Sequence, residues 1–232
     1  MPTVLVTGAN RGLGLELCRQ YAADNWSVIA TCRDLGKATA LNQLAGDIEI
    51  LPLDLDDAAQ IAALPAKLGH RPIDLLINNA GIGGGRRGFG AVAADDFLQV
   101  MRSNCLGPLL LMQALAAQVA ASGEKRMIAI GSRMGSIGDG IKMGDPDDGG
   151  DYAYRCAKAA LNMAVATAGF DLRSRGILTA VLHPGWVQTE MGGLGSEVPV
   201  AESAAGLRRV IASLTAATSG GFFTWQGERI AW

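Results

Sequence analysis

Short β-rich runs alternate along the chain with longer stretches whose apolar positions recur at helical spacing. The strand-like runs fall at residues 3–7, 27–31, 48–51, 73–77, 127–130 and 178–182, with a late one at 222–225. The first intervening stretch places Leu13, Leu17 and Tyr21 on one helical face. Asp57 stands where it can cap a helix that runs on toward Leu68. Strands separated by single helices imply parallel pairing through right-handed crossovers. The pattern therefore predicts an α/β chain with a doubly wound (Rossmann) fold: a mostly parallel seven-stranded sheet with helices on both faces. No linker, repeat or low-complexity tract divides it, so residues 1–232 are expected to form a single domain. Two segments, 135–151 and 192–199, are rich in glycine and poor in apolar residues. They are expected to be loops on the working edge.

Composition narrows the classes open to such a fold. With 232 residues, 49% of them apolar, the chain can bury a full core. A formal net charge of -2 provides no field to gather nucleic acid or an anionic membrane, so neither is expected as a partner. Cys18, Cys32, Cys105 and Cys156 show no CxxC spacing, and His70 and His183 are the only histidines. No metal cluster is expected, and the cysteines read as reduced core thiols of a cytoplasmic protein. The first residues run directly into a strand without the basic and apolar regions of a signal peptide. The longest apolar stretch, 105–121, contains Gly107, Pro108, Gln113 and Gln118 and falls short of a membrane span, so it reads as a buried helix.

Two local patterns carry chemistry. "TGANRGLG" at residues 7–14 lies where the first strand turns into the first helix. Gly8, Gly12 and Gly14 allow a tight turn, close approach of the backbone to a pyrophosphate and close packing of helix on sheet; the helix N-terminus adds unpaired N–H donors. "YAYRCAK" at 152–158 offers two tyrosines and a lysine. On a helix, Tyr154 and Lys158 share a face, whereas Tyr152 points about 200° away and pairs with Cys156. A lysine ammonium beside a phenol favours the phenolate and is expected to lower the pKa of Tyr154. Tyr152 reads as a wall or surface residue.

The spacing in "TGANRGLG" resembles that of the classical short-chain dehydrogenase/reductase superfamily, as do "LDLDD" with Asp54, "NNAG" at 78–81, Asn104, Ser132 in "IGSRMG", the Tyr154–Lys158 pair and "HPGWVQTEM" from His183. These motifs cover nearly the whole chain in order. The opening turn, the long segment between Ser132 and Tyr154 and the closing "GGFFTWQGERIAW" resemble the branch of Sniffer-type carbonyl reductases and C-factor-like proteins. The resemblance implies that Tyr154 protonates a carbonyl oxygen as hydride arrives from a nicotinamide, and that Ser132 holds the same oxygen. It further implies that Lys158 binds the nicotinamide ribose and that Asn104 holds a water linking Lys158 to solvent. Ser136 competes for the serine role, but Ser132 matches the family position. His183, which precedes the Pro-Gly turn, is expected to be structural.

The same resemblance assigns the cofactor contacts. Besides Gly8, Gly12 and Gly14, they comprise Asn10, Arg11 and Leu13 from the first turn, Asp54 toward the adenine amino group with Leu55 beside it, and Asn78, Ala80 and Gly81 beneath the adenosine ribose. Pro184, Gly185, Val187 and Thr189 border the nicotinamide carboxamide. The second strand ends Thr31-Cys32-Arg33 without the carboxylate that would bind a ribose 2′-hydroxyl. Arg33 and Arg11 can instead clamp a 2′-phosphate, which predicts NADP(H). Asp34 can pair with Arg33 or with Lys37. The expected activity is NADPH-dependent reduction of a small-molecule carbonyl: an aldehyde, ketone or quinone. Two alternatives stay open: reduction of a 3-oxoacyl thioester, for which Arg86, Arg87 and Arg133 are candidate carrier contacts, and a non-catalytic nucleotide-sensing role. Apolar faces over 106–121 and 156–170 predict a homodimer or a homotetramer, and 192–199 is expected to be a mobile lid.

Overall fold

The structure, a computed structural model, describes residues 1–69, 71–85, 88–140 and 150–232. Its seven strands are β1 (Thr3–Thr7), β2 (Ser27–Cys32), β3 (Ile48–Pro52), β4 (Leu75–Asn78), β5 (Arg126–Ile130), β6 (Leu178–His183) and β7 (Gly221–Thr224). They form one sheet in the order β3-β2-β1-β4-β5-β6-β7, and every neighbouring pair is parallel. The strand expected from Ile73 begins two residues later. Ile73 N–H donates to the Gln118 carbonyl, outside the sheet, and the ladder to β1 opens with Leu75 opposite Val4.

Alternate strand residues feed two cores. Val4, Val6, Val28, Ala30, Leu75 and Ile77 point to one face and pack under α1 (Gly12–Ala23) and α7 (Val200–Ser213), with Leu13, Leu17 and Tyr21 buried as expected. Leu5, Ile29, Leu76, Met127 and Val181 point to the other and meet α3 (Ala58–Lys67), α5 (Gly107–Ala120) and α6 (Tyr152–Asp171). A parallel sheet requires both faces covered, and this alternation covers them. The remaining helices are α2 (Thr39–Asn42), a single turn, and α4 (Ala94–Met101), which runs through a π-helical segment, Arg102–Leu106, into α5. The Asp57 carboxylate caps α3 by accepting from the N–H groups of Ala59 and Gln60.

The cysteines divide differently from the expectation of core thiols. Cys18 and Cys32 are buried, Cys105 is half-buried and Cys156 is exposed. Cys156 shares the outward face of α6 with Tyr152, the i,i+4 relation that keeps both off the Tyr154 face. Among the described residues no group of His, Cys, Asp and Glu could hold a metal ion, and no helix is long and apolar enough to cross a membrane. His70, Arg86 and Arg87 lie outside the described residues, as does 141–149 within the predicted 135–151 loop.

Candidate active site

The strand order reverses between β1 and β4, where open parallel sheets form their ligand crevice. The loops leaving these two strands touch there. Gly8 and Gly12 adopt left-handed backbone at φ +62° and +54°, which favours glycine. A Cβ on Gly8 would lie 2.9 Å from Ala80 Cα, and one on Gly14 would drive into the Gly8 carbonyl oxygen and the Asn79 amide. The glycines thus form a cradle that side chains would fill, above an α1 N-terminus that carries no side-chain cap and no acidic residue in its first turn. Arg11, at that N-cap, bears the turn's own cation.

Thr7 and Asn79, which motif reading passed over, hold the cradle's shape. The buried Thr7 hydroxyl accepts from the N–H groups of Asn79 and Ala80, both at 3.0 Å. The Asn79 amide returns hydrogen bonds to the carbonyls of Thr7 (2.9 Å) and Gly8 (3.2 Å). At the end of β4, Asn78 is buried with neither side-chain oxygen nor nitrogen partnered among the described residues. This strand end therefore retains hydrogen-bonding capacity that the protein itself does not use.

Beside the cradle, the expected two-arginine clamp is altered. Arg11 ion-pairs with Glu190 from the loop after β6, and both side chains are largely exposed. The local acid left open by the sequence resolves toward Lys37: Asp34 lies 3.8 Å from its ammonium and also accepts from Gly36 N–H. Arg33 is exposed and makes no ion pair or hydrogen bond among the described residues, so one cation stands available at the end of β2. Asp54 accepts from Asp56 N–H at 3.0 Å, and Leu55 is buried beneath Gly107, where any Cβ would strike the Leu55 carbonyl.

The β6 end supplies the other wall. Gly185, at φ +86°, passes so close to Trp225 that a Cβ would lie 2.9 Å from the indole nitrogen. Pro184 accepts from the Ser203 hydroxyl at 2.6 Å, Val187 is buried, and Thr189 approaches Gly12, whose added Cβ would be 3.2 Å from the Thr189 methyl. The predicted lid is joined at both ends to Trp186. Trp186 accepts through its carbonyl from the N–H groups of Glu197 and Val198, and its indole donates to the Gly192 carbonyl at 2.7 Å. Between these anchors Leu194 is fully exposed.

On α6, Tyr154, Lys158 and Asn162 follow one another at i,i+4 along a single face. Lys158 is buried and its ammonium donates to the Ile130 carbonyl at 2.7 Å, 5.6 Å from the centre of the Tyr154 ring. Asn162 donates to the Gly135 carbonyl at 3.1 Å and thereby ties α6 to the turn after β5. Ser132 heads that turn. Its hydroxyl accepts from Met134 N–H at 3.2 Å and lies near enough to the Tyr154 phenol to favour its ionised form. Ser136, the rival serine, is buried elsewhere in the turn against residues 231–232. Asn104, fully buried in the π-helical segment, spends both ends of its amide on Ile82, accepting from its N–H and donating to its carbonyl at 2.8 Å each. Its side chain thus fixes the strand-end loop beside Gly81, whose added Cβ would be 3.2 Å from Asn104 Oδ1 and 3.8 Å from Lys158 Nζ.

The electrostatics reverse one expectation. Tyr154 has its pKa raised above 10, chiefly by burial, with the nearby Ser132 hydroxyl opposing the shift and the Asp151 carboxylate adding to it. Lys158 does not offset this shift; burial lowers its own pKa to about 8, only partly resisted by Cys105. At neutral pH the phenol is therefore protonated and the ammonium charged. His183, at the end of β6, is held neutral by burial and by the Arg133 guanidinium, with its pKa lowered to about 4. Tyr152 is part-exposed with its ring 6.3 Å from that of Phe89, outside this cluster.

A doubly wound sheet with a glycine cradle at its switch point and a Ser–Tyr–Lys cluster beside it defines a nucleotide-dependent oxidoreductase of the short-chain type. Residues 2–197 match the family model of the short chain dehydrogenases, and the chain belongs to that family. Within it, the chain is 43% identical over 161 residues to the C-signal of Myxococcus xanthus, covering 69% of this chain and 93% of that protein. The NADPH-bound carbonyl reductase from chicken fatty liver superposes with a TM-score of 0.89 at 36% identity, covering 100% of this chain and 99% of that one. Carbonyl reductase Sniffer of D. melanogaster gives 0.89 at 32% identity over the whole of both chains. These similarities place the chain in the Sniffer and C-signal branch.

Proposed function

We propose that the protein is an NADPH-dependent carbonyl reductase of small aldehydes, ketones or quinones. The observation that carries this reading is the placement of Tyr154 one helical turn from Lys158, whose ammonium is anchored on the Ile130 carbonyl at 2.7 Å, and beside Ser132 at the head of the turn after β5. A reduced nicotinamide bound in the cradle supplies hydride. Tyr154 and Ser132 present two hydroxyls to one carbonyl oxygen, and Tyr154 gives its proton to the oxygen as negative charge develops there. Burial keeps that proton on the phenol until it is needed. Lys158, buried one helical turn away, binds the ribose.

The cradle supports a pyrophosphate through Gly8, Asn10, Gly12, Leu13 and Gly14, with Asp54, Leu55, Asn78, Ala80 and Gly81 lining the adenosine side and Pro184, Gly185, Val187 and Thr189 the nicotinamide side. Arg33 is the available partner for a 2′-phosphate, with Arg11 able to join it by leaving Glu190. This choice favours NADPH over NADH, a preference in keeping with the NADPH named for the chicken enzyme. Asn104 holds the loop that shapes the Lys158 pocket and leaves a water relay to solvent as its further role.

Association rests on the outer faces of α5 and α6. Met163 and Phe170 on α6 are 70% and 68% exposed, and Leu106, just before α5, is 48% exposed. We assign these faces to a homodimer, or to a tetramer containing it. The enzyme reading is tested by a panel of aldehydes, ketones and quinones followed through loss of NADPH absorbance. Turnover of at least one class is expected, and inertness across the panel would leave the nucleotide-sensing alternative in its place.

A further inference from the structure

The turn that carries Ser132 is compact. Gly135 N–H donates to the Ser132 carbonyl and Ser136 N–H to that of Arg133, both at 2.9 Å, and Gly140 N–H closes back on the Ser136 carbonyl at 2.9 Å. Residues 231–232, more than ninety positions away in sequence, lie against this turn. The Ser136 hydroxyl donates to the Ala231 carbonyl at 2.7 Å while accepting from Asp139 N–H at 2.9 Å, and Gly138 N–H donates to the Trp232 carbonyl at 2.9 Å. Ser136 itself is 2% exposed, so this hydroxyl has no solvent to replace a lost partner.

The covering segment is anchored in turn. Ile230 is buried in the second core and its N–H donates to the Phe222 carbonyl at 2.9 Å. The Trp232 ring stacks on the Phe222 ring, centroids 5.6 Å apart and planes 23° from parallel. Phe222 is fully buried on β7 and also reaches Gly131, the residue before Ser132, where an added Cβ would lie 3.5 Å from its ring. One aromatic side chain therefore supports both the root of the Ser132 turn and the segment that closes over it.

We propose that Ser136 and Trp232 form a positioning latch: residues 231–232, stacked on Phe222, hold the 132–140 turn so that the Ser132 hydroxyl stays on the Tyr154 phenol. The latch acts through Ser132, so it rests on the reductase reading only for its consequence in turnover. It gives the closing residues of the chain a role in the reaction that motif reading does not assign to them.

The test uses full-length Ser136→Ala, Ser136→Thr and Trp232→Ala, with two readouts. Amide hydrogen exchange over 132–140 judges the latch by itself. Loss of the Ser136 hydrogen bond is expected to speed exchange there by about fivefold in Ser136→Ala and Trp232→Ala, with α1 and its glycine turn unchanged and Ser136→Thr restoring protection. The second readout is reduction of 4-nitrobenzaldehyde by NADPH. Here kcat is expected to fall about tenfold, NADPH affinity to stay at the parent value, and the basic limb of the kcat–pH profile to move upward as Tyr154 loses its Ser132 partner. Unchanged exchange over 132–140 would overturn the latch, and so would faster exchange with parent kcat and pH profile. Failure of the parent protein itself to reduce any carbonyl would sink the reductase reading instead, while the exchange result would still decide whether residues 231–232 hold the turn.

Discussion

Lys158 donates to the main-chain carbonyl of Ile130 across 2.7 Å, which joins the catalytic helix to the last residue of β5, two positions before Ser132. The bond explains how a buried ammonium is tolerated: one of its three protons is satisfied by the protein, and the others face a region shared with Asn104 and Gly81.

The same burial makes Lys158 titratable in an accessible range. Its pKa is lowered to about 8, so the ammonium is present at pH 7 and lost as pH rises through 8 to 9. NADPH affinity, measured by fluorescence titration, is expected to weaken roughly tenfold between pH 7 and pH 10 as this donor loses its charge. Lys158→Met should bind weakly at pH 7 and show no such slope. A flat profile in the parent protein would remove Lys158 from the ribose site.

Cofactor choice turns on Arg33. Arg33→Ala is expected to raise the KM for NADPH by about ten- to a hundredfold, the range of a lost charge-assisted hydrogen bond, and to leave NADH nearly unaffected. Glu190→Gln, which releases Arg11 from its ion pair, should strengthen NADPH binding by a few fold. Equal losses for both nucleotides in Arg33→Ala would show that the residue shapes the turn without reading the phosphate.

His183 predicts an acid limit to stability. Its folded-state pKa of about 4 lies below the ordinary 6.5, so the unfolded chain binds this proton more readily. Stability contributed by the neutral imidazole is complete above pH 6.5 and is lost as pH falls toward 4, by roughly 2–3 kcal/mol. Urea unfolding at pH 7 and pH 4.5 measures it, and the difference should shrink in His183→Gln. An undiminished difference in that variant would assign the acid limit to other groups.

Association is tested on α6. Met163→Glu places a charge on the exposed apolar face, and sedimentation at micromolar concentration is expected to change from dimer or tetramer to monomer. A parent protein that sediments as a monomer would contradict the assignment.

What the sequence made legible was local or periodic. The Asp57 cap, the Leu13–Leu17–Tyr21 stripe, the glycine turn and the Tyr154–Lys158 face are fixed by neighbours within a helical turn. Features set by distant partners were not. Arg11 meets Glu190 from 179 positions away, and Asn104 reaches Ile82 from 22. The direction of the Tyr154 shift depends on how much of the fold surrounds the phenol, which no spacing rule encodes, and burial is its largest cause. The start of β4 moved because Ile73 N–H found the carbonyl of Gln118, in the last turn of α5, instead of a strand partner. The contacts that the 192–199 loop makes with Trp186 come from a residue outside the glycine-rich stretch.

The central claim is that one of two tyrosines, two residues apart on α6, delivers the proton. Tyr154→Phe and Tyr152→Phe remove the same oxygen from side chains about 200° apart around the helix, so parallel kcat measurements with NADPH and one responsive carbonyl separate the roles. The account predicts that Tyr154→Phe loses turnover by roughly 10² to 10⁴ with NADPH affinity unchanged, while Tyr152→Phe stays within a few fold of the parent. Loss of turnover in Tyr152→Phe equal to that in Tyr154→Phe, with both variants folded, or no loss in either, would contradict it.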